Sequence, residues 1–164
     1  MVSTEIEILL SQHKFIRTRF LQLLQEIENS GKEKEALHFQ ISQGTSKRAH
    51  IGWQMLHIAA TFDRYTHFRI LEKDVLDKKL VENYGFGSKP DPLLLTSSEE
   101  IRSKLLEFTN IYYDLFTHLD IKSLDVPPHP RFDRTYKEIL FLMNWHEAEH
   151  CGQCQIIWNT FKSL

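Results

Sequence analysis

Cysteine is scarce in this chain. Only Cys151 and Cys154 occur in 164 residues, too few for a disulfide framework, so a reducing compartment fits. Proline is confined to two clusters, Pro90 with Pro92 and Pro127, Pro128 with Pro130, and glycine numbers six. Long stretches therefore run without a helix breaker. No apolar run approaches the about 20 residues that span a bilayer, and MVSTEIEILL carries acidic residues where a signal peptide needs basic ones. A cytoplasmic protein without a membrane segment is expected. Neither sign of charge dominates: 20 Lys and Arg face 22 Asp and Glu, scattered rather than striped. That argues against a dedicated nucleic-acid binder. A hydrophobic content of 41% gives enough apolar surface for one core, hence one domain over residues 1–164.

Between the breaks the apolar residues follow helical rather than strand periodicity, which predicts an all-α fold. From Thr4 to Asn29, Ile6, Leu9, His13, Ile16, Phe20, Leu23 and Ile27 alternate at spacings of three and four, a bundle seam. Asn29, Ser30 and Gly31 stop this helix, and a polar segment with Gly44 leads to Ser46, the expected N-cap of the second. That helix carries His50, Trp53, His57, Ala60, Arg64 and His67 on one stripe. Helical propensity continues to about Asn83, with a break expected between Leu71 and Asp74. Tyr84 to Pro92 reads as a loop. Ser97 and Glu100 form a capping box for a third helix ending near Leu119, and Thr135 and Glu138 one for a fourth running almost to Leu164. The prolines between Asp125 and Arg131 require an ordered crossover loop.

The fourth helix places Tyr136, Ile139, Met143, His146, His150, Gln153, Ile157 and Thr160 on one seam with a polar middle. His146 and His150, four apart, diverge by only about 40° around the helix and lie one turn apart, close enough to share a metal ion. The same spacing suits a pair of hydrogen-bonded core histidines. His57, mid-helix on a core-facing stripe, supplies a third candidate ligand. Residues 146–150 read HEAEH, which also matches the zinc-peptidase pattern with Glu147 as catalytic base. Common peptidases of that type take a third ligand downstream, yet the fourteen residues after His150 contain no His, Asp or Glu. The third ligand then has to lie upstream, as His57 does.

Other residues have bland and functional readings side by side. His13 sits on the first seam, where it packs or reaches the cavity. Glu147 lies about 100° round the helix from His146, at the rim or beside the metal. Cys154, four beyond His150, is an inert buried thiol or a competing ligand, and Cys151 with Cys154 lies too deep in the helix for dipole-assisted redox chemistry. Arg64 flanks His57 and either snorkels or meets an anionic substrate. Trp145, off the main seam, covers the third helix or forms a homodimer interface.

With these motifs in view, the chain resembles the DinB-like proteins, small four-helix-bundle metalloproteins also represented among bacterial thiol-dependent transferases and isomerases. The likeness lies in SKRAHIGWQMLHIAATFDRY of the second helix and in NWHEAEHCGQCQII of the fourth, similar to the family's His-x-x-x-His-x-Gly-Gln ending. FGSKPDPLLLTSSEEI between them is similar to the family's linker and third-helix start, so the likeness spans most of residues 4–162. It implies a four-helix bundle with long crossover loops, and His57, His146 and His150 as the metal triad. It also implies a divalent transition metal, nickel or zinc, with water completing the shell. The implied activity is that of a metal-dependent thiol S-transferase or hydrolase acting on a small-molecule substrate, such as a low-molecular-weight thiol. A non-catalytic metal-binding module for stress response or interaction, and an atypical metallopeptidase using Glu147, are the alternatives.

Overall fold

A computed structural model describes residues 4–43, 46–47, 49–91 and 94–164. Helix α1 spans Thr4–Asn29, the limits its seam predicts. It ends where the Ser30 hydroxyl donates to the Ile27 carbonyl at 2.6 Å and Gly31 takes a φ of +67°, a left-handed turn that glycine adopts without cost. A short α2 (Glu33–His38), not anticipated from the polar sequence, follows. Ser42–Gln43 (β1) and Ser46–Lys47 (β2) then form a minimal antiparallel pair. Ser46 thus belongs to this pair and does not cap the next helix; Gly44 lies outside the described residues, as does Pro92. The cap of α3 (Ile51–Asp63) is His50, whose Nδ1 accepts from the Trp53 N–H at 3.1 Å.

Helix α3 continues into a π-helical segment, Arg64–Ile70. The break expected at Leu71 to Asp74 follows directly, with Glu72 in a left-handed conformation at φ 52°. Asp63, fully buried, holds this turn: its carboxylate accepts from the N–H groups of Leu76 at 3.0 Å and Asp77 at 2.8 Å, and from His67 Nδ1 at 2.8 Å. Helix α4 (Lys78–Tyr84) is capped by Asp77, and α5 (Ser98–Thr117) by Ser97. A 3-10 turn (Ile121–Ser123) opens the Pro-rich loop. Helix α6 (Tyr136–Lys162) starts at the complete capping box of Thr135 and Glu138. No helix among the described residues is long and apolar enough to cross a membrane.

The four long helices α1, α3, α5 and α6 make the bundle, with α1 and α3 each packed against both α5 and α6. Phe20, Phe62, Phe108, Tyr112 and Phe116 fill its centre, each such burial favouring the fold by about 1.5 to 3 kcal/mol. Nearly every residue of α3 is buried, as its mostly apolar sequence IGWQMLHIAATF, broken by Gln54, His57 and Thr61, favours. Helix α6 presents two stripes. Ile139, Met143 and Ile157 continue the seam of His146 and His150, while Leu140, Asn144, Glu147, Cys154 and Trp158 form a second buried stripe against α1. Trp145 is 60% exposed.

The second stripe contains an ionic lock. Glu147, with no exposed surface, accepts from Arg17 Nε at 2.5 Å and Nη2 at 2.8 Å and from His13 Nε2 at 2.7 Å. Arg17 Nη1 donates to the Leu105 carbonyl of α5 at 2.7 Å. Burial alone would raise the Glu147 pKa, but the Arg17 charge and these hydrogen bonds outweigh it and hold it down to about 2. Three helices are therefore tied together through Glu147 and Arg17. Removing a single partner strands a buried charge, so Arg17→Met is expected to cost about 3 to 5 kcal/mol in urea denaturation, much of it recovered in Arg17→Met with Glu147→Leu. A loss of less than about 1 kcal/mol in the single variant would show that the lock carries no weight.

Candidate metal centre

Holding Glu147 toward α1 turns the neighbouring face of α6 toward α3. There His146 and His150 meet His57: ring centroids are 4.8 Å apart for His146 and His150, 5.0 Å for His57 and His150, and 5.2 Å for His57 and His146. One nitrogen from each ring lies within 4.8 Å of the other two, and among the described residues this is the one group of three potential ligands so placed. Trp53 stacks on the His57 ring at 4.8 Å, nearly parallel.

The hydrogen bonds around the trio decide which nitrogens are free. His57 Nδ1 donates to the Tyr84 carbonyl at 2.6 Å, one of the end-of-helix carbonyls of α4 that lack an intrahelical partner. His150 Nδ1 lies 3.0 Å from Gln54 Oε1. The Gln54 amide donates through its nitrogen to the Ala49 carbonyl at 2.9 Å, so its oxygen faces the imidazole and accepts. Both rings then carry their proton on Nδ1 and leave the Nε2 lone pair bare, as when a carbonyl or carboxylate orients a metal-binding imidazole. His146 Nδ1 is buried without a hydrogen-bond partner.

Protonation agrees. Burial pushes the His57 pKa down, against the pull of the Tyr84 carbonyl. Burial and the neighbouring His57 lower His146 to about 4, and burial with His146 and His57 lowers His150 to about 3. Near neutral pH all three are uncharged and able to donate lone pairs. An orphaned nitrogen, two oriented rings and a neutral all-imidazole donor set fit a divalent transition ion.

A cavity of about 380 Å³ adjoins the trio, lined by His57 and His146 together with Ala60, Thr61, Arg64, Tyr65 and others. The family model for the DinB superfamily matches residues 10–154. The chain belongs to the DinB superfamily. No curated protein matches the chain, and no solved structure does.

The DinB bundle brings together some of the residues singled out from sequence and separates others. His57, His146 and His150 converge, and Arg64 lines the adjoining cavity. Glu147 and His13 do not join them: Glu147 is bound by His13 and Arg17, and His13 Nδ1 lies 2.7 Å from the Tyr113 hydroxyl. A peptidase base at Glu147 gains no support, because both its oxygens are occupied away from the trio. Cys154 is fully buried, its thiol pushed well above the ordinary range by burial, and it stands outside the ligand group. Gln54 and Arg17 also serve the site, and local periodicity does not single them out. Each is a polar residue at a core position, and that mismatch was the available signal.

A pH dependence follows. In metal-free protein the unfolded imidazoles take up protons below their ordinary 6.5, whereas folded His146 and His150 resist until about 4 and 3. The unfolded state thus binds more protons over that interval, and stability falls as pH drops from about 6.5 toward 3. Below 4.5 the depressed Glu147 adds a further loss that continues toward pH 2. The urea midpoint of chelator-treated protein is expected to decline between pH 7.5 and 4.5, and less steeply in His146→Phe with His150→Phe. A flat midpoint in the wild type would contradict the buried, neutral trio.

Proposed function

We propose that this DinB protein is a metal-dependent enzyme, a thiol S-transferase or related hydrolase, whose ion is nickel or zinc held by His57, His146 and His150. The observation that carries the reading is the pairing of three convergent neutral imidazoles with a cavity beside two of them. Three protein ligands leave at least one coordination position, and when bound such an ion lowers the pKa of a water or thiol there toward neutrality. A purely structural site is normally closed by four protein ligands. The adjoining cavity favours catalysis over a module that merely stores or senses metal.

The chain's own residues supply the rest. The Tyr84 carbonyl and the Gln54 amide fix the proton on Nδ1 of His57 and His150 and hold the two rings in place. Trp53 covers one face of His57 and shields it from water. Met143 and Leu142 provide apolar wall for the body of a small substrate, while Thr61 and Tyr65 bring hydroxyl groups to the cavity.

Single His→Ala changes at 57, 146 and 150 are each expected to lower metal content by elemental analysis, whereas His129→Ala in the Pro-rich loop leaves it unchanged. Gln54→Leu, which leaves His150 Nδ1 without its acceptor, is expected to weaken zinc affinity by roughly 10- to 100-fold in competition with a chromophoric chelator. Equal metal retention in all four histidine variants would defeat the ligand assignment. For activity, zinc- or nickel-loaded protein is expected to accelerate displacement of chloride from an activated aryl chloride by a small thiol, giving the aryl thioether, chloride and a proton. The rate should vanish on chelation and return with metal. A rate unchanged by chelation would remove the ion from the reaction.

A further inference from the structure

Three arginines, Arg64, Arg69 and Arg134, line the cavity beside the imidazoles, and no Asp or Glu lines it. Among the described residues no carboxylate pairs with any of them; the ion pairs lie elsewhere. The chain as a whole carries a net charge of -2, so a cavity wall with three positive charges and no negative one is not a by-product of composition. Like charges gathered at a concave surface repel one another and raise the local concentration of anions.

The backbone around them is shaped to make the cluster. In an α-helix, residues five apart point about 140° away from each other, which would aim Arg64 and Arg69 at different neighbours. The segment Arg64–Ile70 is instead π-helical, with the Leu71 N–H donating to the Thr66 carbonyl at 3.1 Å. An i to i+5 ladder stacks residues five apart about one turn above each other, which brings Arg64 and Arg69 to one wall. Arg134 arrives from the Pro-rich loop, where its Nη1 donates to the Tyr65 hydroxyl at 3.1 Å. His129 of the same loop donates through Nε2 to the Arg69 carbonyl at 2.9 Å. Two segments distant in sequence are thus tied together at the point where the guanidinium groups gather.

We propose that this cavity binds a small organic or inorganic polyanion, with its carboxylate or phosphate groups held by Arg64, Arg69 and Arg134 and its remaining atoms directed toward His57 and His146. Guanidinium forks match both oxyanions, often through two parallel hydrogen bonds. A volume of about 380 Å³ lies at the small end of ligand cavities and suits a metabolite rather than a polymer. The inference deepens the metal-enzyme reading and rests on it for the end of the molecule that reacts. The arginine contacts themselves need no metal.

Calorimetric titration separates the two. Succinate, citrate, inorganic phosphate and pyrophosphate are titrated into zinc-loaded and chelator-stripped protein, with uncharged succinamide as control. At least one anion should bind with one site per chain and succinamide should not; whether the carboxylates or the phosphates win identifies the source of the charge. Affinity should fall with added salt, and by about tenfold or more in Arg64→Gln with Arg134→Gln, with zinc content unchanged. Arg69→Gln, at an exposed position, gives a second variant that leaves the core intact and should also weaken binding. Arginine-dependent binding in protein that fails to retain zinc after reconstitution would keep this proposal and remove the metal reading. Failure of all four anions to bind, or binding equal in wild type and every arginine variant, would overturn it.

Discussion

Everything in the candidate centre depends on the rotation of α6 about its own axis, and one buried carboxylate sets that rotation. Glu147 lies between His146 and His150 in sequence and about 100° round the helix from the first. Its oxygens are fixed on α1 by Arg17 and His13, and Arg17 extends the tie to α5. A slip of α6 by one residue position would carry the charge off its partners into apolar surroundings, a far larger penalty than misplacing an aliphatic side chain. The same placement presents both imidazoles to α3. The motif HEAEH therefore divides its labour: its histidines face one neighbour and its first glutamate anchors the other.

Helix α3 answers with matching precision of a different kind. His57 stands in a mostly apolar helix, held by the carbonyl that ends α4, and Gln54 one turn earlier holds His150. Two helices thus each orient a neighbour's imidazole. Beyond Asp63 the same helix widens into a π turn, and Asp63 binds the returning chain so that α4 can reach back to His57. The oriented imidazole and the cationic wall of the cavity consequently share one support.

Much of this was legible in the residues. The seams of α1 and α6, the caps at Ser97 and Thr135 and the break after Ile70 follow from local periodicity and turn chemistry, which the folded chain obeys. The convergence of His57, His146 and His150 was readable because imidazoles on core-facing stripes demand partners. The second stripe of α6, Leu140, Asn144, Glu147, Cys154 and Trp158, follows the same spacing, but Asn144 and Glu147 interrupt its apolar pattern and hide it from periodicity. Ser46 satisfied a local rule for helix starts, yet His50 caps α3 instead. The gathering of Arg69 and Arg134 was beyond reach: it depends on a π turn and on the docking of a loop 60 residues from its partner in sequence, and neither leaves a periodic trace.

The central claim is that three imidazoles, and neither Glu147 nor a cysteine thiolate, hold the ion. X-ray absorption at the zinc edge of zinc-reconstituted protein tests it most directly. The account predicts a first shell of three imidazole nitrogens at about 2.0 to 2.1 Å, completed by one or two light atoms, with no sulfur near 2.3 Å. A sulfur shell, or a light-atom shell lacking the outer scattering of imidazole rings, would contradict it.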